Sequence, residues 1–263
     1  MKFSVCIEML FREKPFCERI EAVKRCSMDA VEFWGFASKN LDEVKAASKE
    51  CGVTVTSMCV DSSDESLASK YRSHGLLFED SGERLRHVSF ESVERARELG
   101  VKNLIVTAGQ ARDDISREEQ HANIVNALRC AVPIFERAGV NLILEPLNTI
   151  TNHRGHYLSS SYEGFGIIRE VGSDNVKLLY DIYHQQITEG NLIPNITKNI
   201  GFIGHFHAAD NPGRNEPGTG EINYRNVFAA INASGYNGYI GLEYEPTQDS
   251  AQSLKDFSEA FRC

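Results

Sequence analysis

Eight short β-rich runs, each followed by a longer stretch of helical periodicity, succeed one another along the whole chain. The runs are Phe3–Ile7, Ala30–Phe33, Val53–Met58, Asn103–Thr107, Asn141–Glu145, Val176–Asp181, Ile203–His207 and Gly238–Glu243. The helical stretches are Pro15–Cys26, Leu41–Cys51, Gly82–Leu99, Ser116–Ala138, Ser161–Val171, Pro194–Ile200, Tyr224–Ser234 and Asp249–Phe261. Regular strand–helix alternation predicts a parallel sheet, and right-handed crossovers close eight such units into a ring. The expected fold is therefore α/β: a (β/α)8 TIM barrel occupying residues 1–263 as a single domain, a usual size for that architecture. An open doubly wound sheet would want a glycine-rich phosphate turn after the first strand. Ile7-Glu8-Met9-Leu10-Phe11 has no glycine, which also speaks against a nucleotide cofactor.

Local chemistry marks several helix ends. Ser116-x-x-Glu119 and Ser160-x-x-Glu163 read as capping boxes, and Gly100, Gly139, Gly172 and Gly235 fall where left-handed C-terminal caps belong. Pro133 sits inside the fourth helix and predicts a kink.

The partners are constrained by charge. Twenty-eight Lys and Arg against 37 Asp and Glu give −9, with no basic run, so nucleic acid and anionic membranes are disfavoured and small molecules lead. No apolar run approaches the ~18 residues of a membrane span, and Lys2–Ile7 is too short for a signal peptide. Seven cysteines (Cys6, Cys17, Cys26, Cys51, Cys59, Cys130 and Cys263) form no CxxC pair, which suits reduced thiols. These features predict a cytoplasmic protein.

In such barrels the reacting groups stand at the carboxyl ends of strands. The last four strands end in Glu145, Asp181, His207 and Glu243, spaced 36, 26 and 36 residues apart, about one strand–helix unit each. Ile143 and Glu145 share a strand face, as do Leu179 and Asp181, and Gly241 and Glu243, so each inward stripe is apolar or small below and polar at its rim. Pro146 biases Glu145 towards extended geometry. Three carboxylates and one imidazole are a mostly oxygen-donor set. It suits one divalent ion, Mg²⁺ or Mn²⁺, with Co²⁺ or Zn²⁺ as further options.

Around this set, several residues have two readings. His205 is one layer below His207, as a core histidine or as one holding its proton towards a neighbouring carboxylate. His184 is expected in a loop over the mouth, within reach of a substrate oxygen. Arg214 lies on the long Gly/Pro-rich stretch 207–221, as an anion clamp or as a solvated arginine. Trp34, the only tryptophan, either walls the mouth or fills the core, and Glu8 is a supporting acid or a rim charge.

Several segments resemble hydroxypyruvate isomerase-type proteins of the xylose isomerase-like barrel superfamily: Ala30-Val31-Glu32-Phe33-Trp34-Gly35, Glu145-Pro146-Leu147-Asn148-Thr149, Tyr180-Asp181-Ile182-Tyr183-His184, and the loop Asn211-Pro212-Gly213-Arg214 through Glu221-Ile222-Asn223-Tyr224. The resemblance covers essentially the whole chain. It implies one divalent ion held by Glu145, Asp181, His207 and Glu243, and aldose–ketose chemistry in which the two glutamates double as acid and base. The chain departs from that pattern at His207, where hydroxypyruvate isomerases carry Gln and related ketose 3-epimerases carry His. It departs from the epimerase pattern Glu-x-x-Asn-Arg-x-Glu as well, with Thr149 after Asn148 and Thr151 in place of the last glutamate.

The implied reaction is isomerisation of a small hydroxy-keto acid, hydroxypyruvate to tartronate semialdehyde, with 3-epimerisation of a free ketose as the alternative. A metal-dependent apurinic-site endonuclease of the same superfamily would want further histidines where this chain has Trp34 and Cys59-Val60-Asp61, and a non-catalytic sugar-binding protein would have no use for paired glutamates. Association of barrels into a homo-oligomer is a further expectation.

Overall fold

The first strand, β1 (Lys2–Cys6), pairs in parallel with both β2 (Ala30–Glu32) and the last strand, β9 (Tyr239–Leu242), so the two ends of the chain meet in one sheet. The computed structural model describes residues 1–261. From β9 the order runs back through β8 (Ile203–Ala208), β7 (Val176–Asp181), β6 (Asn141–Glu145) and β5 (Asn103–Thr107) to β4 (Ser57–Cys59), while β2 continues to β3 (Thr54–Val55). Every ladder is parallel.

The third expected strand is split into β3 and β4 at Thr56, whose backbone N–H and hydroxyl both turn to Val31 O. Because β3 runs straight into β4, and Phe33 N donates to Ser57 O at 3.4 Å, the ring closes there. The eight staves of the expected TIM barrel are thus present, one of them broken.

The helices α1 (Phe16–Arg25), α2 (Leu41–Cys51), α4 (Ser81–Leu99), α5 (Arg117–Ala138), α6 (Ser161–Val171), α8 (Leu192–Asn199), α9 (Tyr224–Ala233) and α10 (Ser250–Phe261) lie near their expected positions, with α3 (Glu65–His74) and α7 (Ile182–Thr188) in addition. Serine-rich composition disguises α3 as loop, yet Asp64 caps it, accepting from Ser66 N at 2.9 Å and Leu67 N at 3.2 Å. In α7, weak helix formers such as Ile182, Tyr183 and Thr188 follow the strand with no linker.

The Ser116 cap forms with Glu119 N, and Gly100, Gly139 and Gly172 close their helices at positive φ. The second expected capping box does not form. Ser160 accepts from Tyr162 N, and the Glu163 side chain turns to Arg117 at 2.5 Å. The 22-residue α5 passes through Pro133 as one element.

Most of the core lies between sheet and helices. Inside the ring the two halves differ. On one side Ile105, Ile143 and Leu179 pack together as a small apolar layer. On the other, the buried Ser4, Glu32, Ser57 and His205 form a polar network. That asymmetric floor supports the groups at the rim.

Candidate active site

Beyond the apolar layer, the strand ends deliver the expected side chains together. Glu145, Asp181, His207 and Glu243 are all buried and each offers a donor atom within 4.8 Å of the others. Register explains the convergence: Asp181 pairs with His207 across β7–β8, and His207 with Gly241 across β8–β9. Glu243 lies one residue past β9, held in line by its backbone N–H to Ala208 O at 3.2 Å.

Two of the four have hydrogen-bonded supports. Asp181 caps α7, its Oδ1 accepting from Tyr183 N at 2.8 Å and His184 N at 3.2 Å, which leaves Oδ2 facing the other ligand candidates. Glu243 receives Trp34 Nε1–H on Oε1 at 2.9 Å and Arg214 on Oε2 at 2.5 Å. The Cys6 thiol, pushed well up by burial and by the charges of Glu243 and Glu32, stays protonated and sits 3.9 Å from the same Oε1.

His207, which has no such bond, tests whether a cation suits the site. Its Nδ1 stands 3.3 Å from both Glu145 Oε1 and Glu243 Oε2, and its Nε2 stands 3.0 Å from Glu32 Oε1. None of these contacts has hydrogen-bond geometry, so both ring nitrogens are buried without a bonded partner. A ring nitrogen set between two carboxylate oxygens is the arrangement of ligands converging on an ion.

The charges agree. Burial opposes protonation of His207, but Glu243 and Glu32 overcome it and raise its pKa well above the imidazole range. Burial raises the Asp181 carboxyl, with Arg214 and His207 only partly offsetting it. For Glu243 the balance reverses, because His207 and Arg214 outweigh burial and hold it low. Three carboxylates packed this closely call for positive charge, and the donor set fits a divalent cation.

Below the rim lies a residue that the strand-end pattern does not single out. Glu32, from β2, accepts from Ser4 Oγ at 2.7 Å, Ser57 Oγ at 3.2 Å and His205 Nε2 at 2.9 Å through Oε2, while Oε1 faces His207. His205 therefore directs its ring to a carboxylate, one of its two expected readings. Burial works against ionisation of Glu32, but the two histidines hold its pKa well below the usual range. Gly241 makes this possible: a Cβ there would lie 2.1 Å from Glu32 Oε1.

His184 is not in a loop over the mouth. It sits in the first turn of α7, fully buried, because the chain turns from β7 directly into helix. Its Nδ1 accepts from Asn148 N at 3.3 Å and Asn148 Nδ2 at 2.6 Å, and Asn148 Oδ1 is taken by Thr151 N and Asn152 N. The amide orientation is thus determined, the ring proton lies on Nε2, and Nε2 faces Asp181 Oδ2 at 3.5 Å. Burial lowers the His184 pKa to about 3, so it is neutral.

Trp34 is 45% exposed and walls the mouth rather than filling the core. Glu8 pairs with Lys39 at 2.7 Å, away from the cluster. Arg214 is placed by a tightly bonded loop. Asp210, fully buried, accepts from Asn211 N, Gly218 N and Ile222 N, and Arg214 O accepts from Glu245 N.

A cavity of about 520 Å³ opens above the cluster, lined by Trp34, Cys59, Thr107, Glu145, His153 and Glu243 among others. His153, Tyr71 and Arg72 also line it, and sequence reasoning missed all three. Tyr71 and Arg72 come from the unexpected α3.

Comparison with known proteins agrees with this fold. The family model for the xylose isomerase-like TIM barrel matches residues 20–261. The hydroxypyruvate isomerase of Escherichia coli strain K12 is 32% identical over 256 residues, 97% of each chain. The 2-oxo-tetronate isomerase of Cupriavidus necator is 30% identical over 254 residues, 96% of each. Among solved structures, a protein described as AP endonuclease, family 2, from Brucella melitensis superposes with a TM-score of 0.90 at 26% identity, covering 98% of both chains. The chain is a member of the xylose isomerase-like TIM barrel family, in the group of isomerases to which these hydroxypyruvate and 2-oxo-tetronate enzymes belong.

Proposed function

We propose that the protein isomerises a small hydroxy-keto acid, with hydroxypyruvate to tartronate semialdehyde as the reference reaction. The observation that carries this reading is the pair of buried glutamates, Glu145 and Glu243, set either side of His207 at the floor of an open cavity. Glu145, Asp181, His207 and Glu243 would hold a divalent ion, Mg²⁺ or Mn²⁺. What the ion supplies is charge, neutralising the negative charge that develops on two adjacent substrate oxygens when a carbon-bound proton leaves.

The remaining steps belong to the chain. One of Glu145 and Glu243 takes a proton from C3, the other returns one to C2, and the hydroxyl proton passes from O3 to O2. Reactant and product therefore have the same composition. Fixing both carboxylates beside the reacting carbons replaces a chance encounter with a positioned one, worth several kcal/mol. Arg214 and Trp34 orient Glu243, and the neutral His184 directs Nε2–H towards Asp181 and the substrate oxygens beside it. Trp34 also limits water at the mouth.

The compact cluster at the rim and the −9 charge support small-molecule chemistry over cleavage of a nucleic acid. Proton NMR of hydroxypyruvate with the Mg²⁺-loaded protein in D₂O tests the reading: deuterium should enter at C2 of the tartronate semialdehyde formed, and Glu145→Gln and Glu243→Gln should each abolish that exchange. Near wild-type exchange in either variant would remove the acid–base assignment. Exchange with free ketoses but not with the acid would transfer the reading to 3-epimerisation.

A further inference from the structure

An acid substrate brings a carboxylate, and the two arginines that line the cavity are not equivalent receivers for it. Arg214 is inside the catalytic cluster, bonded to Glu243 at 2.5 Å and 3.9 Å from Asp181 Oδ2, and its charge is offset there. Arg72 lies on the opposite wall, with its side chain half exposed. It meets Glu65 at 2.7 Å on the solvent side, and Asp61 Oδ1 only at 3.5 Å.

Asp61 is otherwise satisfied by backbone. Its Oδ2 accepts from Ala37 N and its Oδ1 from Ser62 N, both at 2.9 Å. It therefore steers the guanidinium without taking its full bonding capacity. The Glu65 partner is 78% exposed, and a surface pair of that kind is weak enough for a ligand carboxylate to displace. Five N–H donors in a planar fork leave room for a bidentate contact.

The helix that carries Arg72 is anchored for this position. At the end of α3, Gly75 takes φ +57° and passes so close to the chain after β5 that a Cβ would lie 2.3 Å from Ala108 O, and Leu76 N donates to the same oxygen at 2.8 Å. Tyr71, one residue before Arg72, is buried and lines the cavity wall, leaving Arg72 at the rim. The volume of about 520 Å³ falls in the range of pockets that enclose ligands much larger than a three-carbon acid.

We propose that Arg72 is the carboxylate-binding residue of this site, reading the acid end of a hydroxy-keto acid whose other end lies between Glu145 and Glu243. The cavity has room for acids longer than three carbons. The proposal rests on the isomerase reading for its choice of ligand, but it is tested by binding alone.

The probe is D-glycerate, a dihydroxy acid with no carbonyl and hence no turnover, titrated calorimetrically into the Mg²⁺-loaded protein. A charge-assisted bond of this type sets affinity by about ten- to a hundredfold. Arg72→Met, which keeps the aliphatic stem, should weaken glycerate binding by that factor, and Arg72→Lys should recover at least part of the loss. Wild-type affinity in Arg72→Met, equal losses in the Met and Lys variants, or no glycerate binding by the wild type would each overturn the proposal. Failure of the isomerase reading shows separately: Arg72-dependent glycerate binding without deuterium exchange when hydroxypyruvate is supplied leaves the subsite standing and removes only the reaction.

Discussion

Replacing Glu32 with Gln removes one negative charge from beneath His207 while keeping the side chain's shape. In the wild type, Oε2 accepts from Ser4, Ser57 and His205, and Oε1 stands 3.0 Å from His207 Nε2. The new side-chain amide would turn an N–H₂ group towards donors on at least one side, and both imidazoles would lose a charged partner. Breaking a buried pair from one side costs about 3–5 kcal/mol. Shape is retained and the serine hydroxyls can rotate, so the expected loss is near the lower end, about 3 kcal/mol. For a chain of this size that lowers Tm by roughly 6–12 °C. With His207 holding the ion as proposed, loss of the carboxylate behind it would weaken the metal by about 10- to 100-fold. Thermal melting with and without Mn²⁺, together with calorimetric Mn²⁺ titration, reads both effects. A Glu32→Gln protein that melts within about 1 °C of the wild type, where roughly 6–12 °C is expected, and binds Mn²⁺ equally well would refute the idea that Glu32 holds His207 in place.

Gly241→Ala attacks the same contact sterically, because the new Cβ would fall 2.1 Å from Glu32 Oε1; it should lower both Tm and Mn²⁺ affinity, and normal Mn²⁺ binding in that variant would contradict the packing argument. A pH dependence follows from His156, which burial pulls down to about 4 from an ordinary 6.5. As pH falls through 6.5 the unfolded chain takes the proton first, so the contribution of His156 is complete above 6.5 and is lost on the way down to pH 4, about 3 kcal/mol in all. His156→Gln should therefore flatten the acid limb of a chemical-denaturation profile between those values, and an unchanged slope would show that His156 does not titrate in that window.

How much of this is legible from residues alone differs by element. Strand ends are readable because a rim residue and the small or apolar residue two places before it follow one period-two stripe, as in Ile143–Glu145 and Gly241–Glu243. The four-residue convergence at Glu145, Asp181, His207 and Glu243 can therefore be anticipated from spacing. Glu32 cannot, because its partners Ser4, Ser57, His205 and His207 come from three other strands and meet only when the ring closes. A signal exists in hindsight: a glutamate inside an otherwise apolar strand, Ala30-Val31-Glu32-Phe33, has to find a buried partner.

His184 departs from its expected place for a local reason. Asp181 acts as rim carboxylate and helix cap at once, so α7 begins where a loop is expected. Arg72 is hidden by the serine-rich segment that forms α3, although the Asp64 cap is visible there. Trp34 is the reverse case, an aromatic that stays 45% exposed because its ring N–H is committed to Glu243.

Glu145, Asp181, His207 and Glu243 must share a single cation for the chemistry proposed here to operate. Anomalous diffraction from crystals of the protein soaked in Mn²⁺ measures this directly. One peak within ligand distance of all four side chains, at about 2.0–2.4 Å for oxygen and nitrogen donors, is the predicted result. A manganese-activated protein whose peak lies elsewhere, or whose four side chains remain closed around no ion, would contradict it.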